Sequence, residues 1–261
     1  MDNTEVPGQG VKPDHDWRDY DWYRINHLVL KEFFEVSYYI NCVRKAKIAA
    51  PQTIQIHKTL KIAVAHEEDL DRWSNRMDRE EYQDLYSSAL IRMWSAFEAG
   101  LENIIARYIE NDKELAEQLV MFTRVKFDMS LWPWRMDERL RIAAKLDRRA
   151  AEGPSYMYLR LGRLFSYIGI QTGPCFASSN PEANPAGDLD EANRIRNIIL
   201  HRYGEPDETD VELFPAFGPW LNKNLPVTKD MFHRYYMAII VYLSSVQDGI
   251  ELAKLPKLDV T

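Results

Sequence analysis

Residues 189–204 read LDEANRIRNIILHRYG and bring one imidazole, three guanidinium groups and two amides into a single short segment. At about 100° per residue, Ala192, Ile195, Ile198 and Ile199 fall on one apolar stripe of a helix, and Arg194, Asn197 and His201 fall together on the opposite side. Such a helix packs on its isoleucines and presents Arg, Asn and His away from the core. The chemistry these groups suit is phosphodiester cleavage. A histidine moves a proton near neutral pH, an arginine stabilises charge building on a phosphorane-like transition state, and an asparagine orients either of them.

The elements that must position this segment are also helical. Apolar residues recur at three- and four-residue steps over 22–48, ending before Pro51, and a charged helix is expected over 67–79. The strongest pattern covers 81–110, where Leu85, Leu90, Met93, Trp94, Phe97, Leu101, Ile104 and Ile105 share a face. Further helices are predicted over 112–122, 136–151, 156–170 after a Gly153-Pro154 break, and 228–253. No strand-like alternation is sustained and no repeat is present. The fold class is all-α, a helical bundle over 81–256 with an N-terminal helical extension over 17–80 packing on it and a tail over 1–16. Within the bundle, 172–187 and 204–227 are long for helix connections. They flank a helix over 189–203, with Asp188 as N-cap, Glu191 completing a capping box, and Gly204 in a left-handed C-cap.

Arg196-Asn197-x-x-x-His201 resembles the signature of the HEPN superfamily, in which an Arg, often followed by Asn, precedes a His by four to six residues. Residues 86–109 are similar to the earlier core helix of HEPN bundles. The resemblance implies an all-helical, often dimeric fold and a metal-independent endoribonuclease that uses no cofactor; some members have lost activity. It makes Arg196, Asn197 and His201 the candidate catalytic residues. Glu98, on the earlier helix, is a candidate supporting residue, as are Arg194 and Tyr203. Arg196 and His201 lie five apart, about 140° around an ideal helix, whereas Arg194 and His201 are nearly aligned, so either arginine can be the working one. One histidine per chain is few for a reaction needing both a base for the ribose 2′-OH and an acid for the 5′-oxygen. Two copies meeting at this helix would supply both and leave a 2′,3′-cyclic phosphate. The expected partners are an RNA substrate, a second copy of the chain and a regulatory or antitoxin protein, as in toxins and phage-defence effectors. The competing reading is a non-catalytic HEPN-like module for regulation or protein interaction.

Composition sets bounds on this. The 261 residues carry 33 basic and 40 acidic side chains, a net charge of −7, so the chain is not basic all over. The basic residues are 20 Arg and 13 Lys, and Arg forks suit phosphate and structural ion pairs alike. Charge is uneven along the chain. Arg44, Lys45, Lys47, Lys58 and Lys61 stand with no acid between 36 and 66, a candidate RNA path. The stretch 136–163 is more mildly basic, 67–84 has eight acids against three arginines, and 205–212 has five acids and no base. The two cysteines are too few for a disulfide framework, and His15, His27, His57, His66 and His233 show no metal-ligand spacing. With no apolar run long enough for a bilayer and no signal-like start, the chain is expected in the cytoplasm and not at a membrane. Trp132-Pro133-Trp134 is expected to anchor a turn, although bases could stack there. Phe214, Phe217 and Trp220 are expected to pack on the bundle or on a second copy.

Overall fold

The computed structural model describes residues 17–152, 156–172 and 184–254. Among them the regular elements are helices, with no strand. In chain order these are α1 (Trp17–Leu60), α2 (Ala65–Arg79), α3 (Gln83–Asn111), α4 (Lys113–Thr123), α5 (Met136–Ala150), α6 (Met157–Ser166), α7 (Pro185–Arg202), α8 (Glu208–Leu213) and α9 (Lys229–Lys254). Short 3-10 turns occupy Met129–Leu131 and Pro215–Trp220. None of the described helices is long and apolar enough to cross a membrane.

Helix α3 is the axis of the bundle and packs against α1, α4, α5, α7 and α9. Its periodic apolar residues make this possible. Leu90, Met93, Trp94, Phe97, Leu101, Ile104 and Ile105 are all buried, and Leu85, at the open end, is only partly so. Each large side chain removed from water contributes roughly 1.5–3 kcal/mol. Gly100 lets α1 approach α3 closely, since a Cβ there would stand 2.3 Å from the Ile25 side chain. Ile25, Val29, Val36 and Val43 of α1 and Met77 of α2 belong to the same buried cluster as α3.

Besides an earlier start of α1 at Trp17 and an earlier end of α6 at Ser166, three larger differences from the sequence expectation stand out. Helix α1 does not end before Pro51 but continues to Leu60. A proline inside a helix removes one backbone hydrogen bond and costs about 3 kcal/mol. Here tertiary contacts on both sides of it hold the helix, with Val43 and Ala50 buried and Lys47 and Lys58 ion-paired to Asp78 and Glu68 of α2. Helix α7 begins at Pro185, not near Leu189. Asn184 is its cap, accepting the Gly187 N–H at 3.1 Å, and Pro185 fills the first turn. Asp188 and Glu191 therefore do not form the expected capping box. They face α9, where Asp188 pairs with Arg234 and Glu191 accepts the Tyr235 hydroxyl at 2.9 Å. The third difference is in 204–227, which holds α8, started by a reciprocal cap in which the Asp207 N–H donates to Asp210 at 2.8 Å and the Asp210 N–H to Asp207 at 3.0 Å.

The indole turn is anchored as expected. Trp134 is buried and donates to the Asp128 carbonyl at 2.9 Å, and Trp132 donates to the Ile109 carbonyl at 3.0 Å. Phe217 is buried and stacks on Phe214 with ring centres 5.2 Å apart, whereas Trp220 is more than a third exposed.

Candidate functional site

Helix α7 is positioned by Leu189, Ala192, Ile195 and Ile198, all buried where it meets α3, α6 and α9. Ile199, on the same stripe, is partly buried. This burial turns Arg196 toward α3. Its Nη2 donates to Glu98 at 3.2 Å and its Nη1 to the Asn197 side-chain oxygen at 2.9 Å. The guanidinium is thus held at both ends while about a fifth of the side chain still reaches solvent. Glu98 is brought into place by its neighbour Phe97, which is fully buried in the α3 core.

The remaining candidates are placed differently. His201, in the last turn of α7, is exposed and makes no hydrogen bond or ion pair among the described residues. Tyr203 follows in a left-handed conformation with φ of 55° and is 94% exposed. Gly204 is left-handed as well, with φ of 89°, and its N–H donates to the Ile198 carbonyl at 3.2 Å to close the helix. Arg194 is committed to another task. With Arg202 it clamps the fully buried Asp210 of α8, Arg202 reaching the two carboxylate oxygens at 2.7 and 3.0 Å. Nothing in local periodicity signals that clamp, because Asp210 lies beyond the end of the helix.

The proposed basic path is largely tied to other residues. Arg44 lies over the Tyr82 ring and donates to its hydroxyl at 3.4 Å, Lys47 pairs with Asp78, and Lys58 pairs with Glu68 at 3.4 Å. The donors from Lys47 and the Tyr82 hydroxyl hold the Asp78 carboxyl below the usual carboxylate range. Lys45 and Lys61 are exposed, with no ion pair among the described residues. Most of the arginines of 136–163 are occupied too. Arg139 pairs with Glu110, Arg160 with Asp147, and Arg149 lies 4.3 Å from the Phe122 ring centre.

Two cavities flank the Arg196 pair. One, of about 360 Å³, borders Glu98 and is lined in part by Glu102, Asp147 and Arg160. Burial, with Asp147 and Glu98 nearby, raises the Glu102 carboxyl above its ordinary range. Because Arg160 is already taken by Asp147, this side is unfavourable for a phosphate. The other cavity lies on the far side of Asn197, where Asp190 accepts the Met157 N–H and so caps α6 from α7. Among the described residues no three side chains converge as metal ligands.

Asp190 makes stability depend on pH. Burial pushes its carboxyl up to about 6, outweighing the Met157 and Tyr158 N–H donors that favour the charged form. In the unfolded chain the same group titrates near its ordinary value of 3.8. The folded state therefore binds the proton more tightly, and this contribution to stability is complete below about pH 4 and lost as pH rises through about 6. Asp190→Asn keeps an acceptor for the cap but cannot ionise. Its melting temperature relative to the unaltered protein should rise between pH 4 and pH 7 in thermal scans, and a difference that stays flat would count against this account.

No family model, curated protein or solved structure matches this chain.

Proposed function

We propose that the chain is a metal-independent endoribonuclease of the HEPN type, with Arg196, Asn197 and His201 as its working residues. The observation that supports this reading best is the division of labour along α7. Arg196 is held by Glu98 and Asn197, ready to face developing negative charge, while His201 on the same helix is exposed, with no hydrogen bond or ion pair among the described residues. A preset charge stabiliser needs no reorganisation during reaction, and an exposed imidazole can be reached by a substrate hydroxyl. The commitment of Arg194 to Asp210 favours Arg196 as the catalytic arginine.

The reaction is attack of the ribose 2′-OH on the adjacent phosphorus. The P–O5′ bond breaks, the hydroxyl proton passes to one histidine, and a second histidine protonates the departing 5′-oxygen. His201 of a second copy fills the second role, so the working form is a dimer. A cytoplasmic toxin or phage-defence effector restrained by a partner protein fits such an activity. One observation favours the non-catalytic alternative: Glu98 neutralises Arg196, as in a purely structural pair.

The deciding experiment is incubation of the purified protein with RNA in EDTA. RNA fragments ending in 2′,3′-cyclic phosphate, with DNA of the same sequence intact, are expected. Cleavage of both polymers, or of neither, overturns the reading. Arg196→Lys separates the two roles of the arginine, since it keeps the charge but loses the fork that spans Glu98 and Asn197. Its RNA cleavage is expected to fall at least about tenfold, while the helical circular-dichroism signal is unchanged.

A further inference from the structure

The cavity beyond Asn197 has a volume of about 330 Å³ and lies between the start of α6, the polar stripe of α7 and the end of α8. Its floor is a helical row, Asp190, Asn193, Arg194 and Asn197, at steps of three and four. Its walls include two aromatic rings, Tyr156 just before α6 and Phe214 just after α8. Phe214 is fixed by stacking on the buried Phe217, with ring centres 5.2 Å apart. Tyr156 is more than half exposed and so lies at the mouth.

Counting the polar groups shows what the cavity can hold. Arg194 pairs with Asp210 through its Nε, one Asp190 oxygen accepts the Met157 N–H, and the Asn197 oxygen accepts from Arg196. Among the described residues, the groups left over are the Asn197 amino group, both ends of the Asn193 amide and the outer N–H groups of Arg194, whose charge the buried Asp210 balances. Aromatic walls with an amide floor, beside a guanidinium already balanced by a buried carboxylate, suit a flat heterocycle that presents both donors and acceptors along one edge. They do not suit a phosphate or a carboxylate, which Asp190 would oppose. The volume is at the lower end of small-ligand sites, enough for a single ring system and its sugar.

We propose that this cavity is a nucleobase subsite, with adenine the best fit. The Asn193 amide would pair with the adenine amino group and ring nitrogen in the two-bond arrangement that asparagine makes with adenine, and the base would stack along Phe214 and Tyr156. Asn197 belongs both to this cavity and to the Arg196 pair, so it links the held base to the phosphate next to it. That the base belongs to an RNA cut at Arg196 rests on the function proposed above. Asn193 and Phe214 are then specificity-determining residues, since they select the nucleotide beside the scissile bond.

Calorimetric titration of the full chain with adenosine and, separately, with ribose 5-phosphate tests the subsite without relying on cleavage. Adenosine should bind and ribose 5-phosphate should not. Asn193→Ala and Phe214→Ala should each weaken adenosine binding at least about fivefold. Should Phe214→Ala fail to fold, Tyr156→Ala, at an exposed position, takes its place. Adenosine binding unchanged in Asn193→Ala, no adenosine binding, or tighter binding of ribose 5-phosphate would each overturn the proposal. The two proposals fail separately. Adenosine bound by a protein that leaves RNA intact retains the subsite and removes the nuclease, whereas RNA cleavage whose base preference is the same in Asn193→Ala retains the nuclease and removes the subsite.

Discussion

His201→Ala is expected to lower RNA cleavage by about 10²–10⁴-fold, the range that a positioned proton-transfer group contributes. If each copy supplies one histidine to a shared cleft, the substitution removes both base and acid, and the upper part of that range applies. The same change should leave stability untouched, because the imidazole is exposed and holds no hydrogen bond or ion pair among the described residues. Exposed substitutions away from such contacts stay within about 0.5 kcal/mol. Cleavage rates measured on fluorescent RNA, beside urea unfolding of the same preparations, separate the two effects. A variant that unfolds earlier and cuts normally would mark His201 as a structural residue.

Asp210→Ala should give the largest loss of stability. Asp210 is fully buried, takes Arg194 and Arg202 on its oxygens, and accepts the Asp207 N–H that starts α8. Breaking a buried ion pair from one side costs about 3–5 kcal/mol when the stranded charge stays dry. Here 28% of the Arg194 side chain and 31% of the Arg202 side chain already reach water, so the arginines recover part of their solvation. About 2–4 kcal/mol is expected, equivalent to a fall in melting temperature of very roughly 5–10 °C for a chain of this size. Glu212→Ala, two residues on and exposed, is the control and should shift stability by less than about 0.5 kcal/mol. Equal effects of the two substitutions would show that the clamp holds nothing together.

Local pattern made some features legible and left others hidden. The all-helical class, the buried face of α3 and the isoleucine stripe of α7 follow from three- and four-residue spacing, which burial then enforces. Glu98 was legible as a supporting residue only through the family resemblance, and it does meet Arg196. The continuation of α1 past Pro51 was not legible, because a local rule that proline ends a helix was outweighed by packing and ion pairs to α2. Helix α8 was hidden by its length of six residues and by an aspartate, not a glutamate, at the third position of its cap. The role of Arg194 lay in a contact across 16 residues, beyond any helical period.

The pairing of α1 with α2 also bears on how an RNA would arrive. The basic run of α1 and the acidic run of α2 face each other through Lys47–Asp78 and Lys58–Glu68, so beyond about one Debye length, roughly 8 Å in physiological salt, their fields largely cancel. A distant polyanion then meets only the overall charge of −7, which repels it weakly. On the proposed function, encounter is unsteered, with association near about 10⁵–10⁶ M⁻¹s⁻¹ instead of the 100-fold or greater acceleration of a cationic nuclease. Selectivity for this protein would then be set by how long an RNA stays, through contacts made only after arrival, and hardly at all by how quickly it is found.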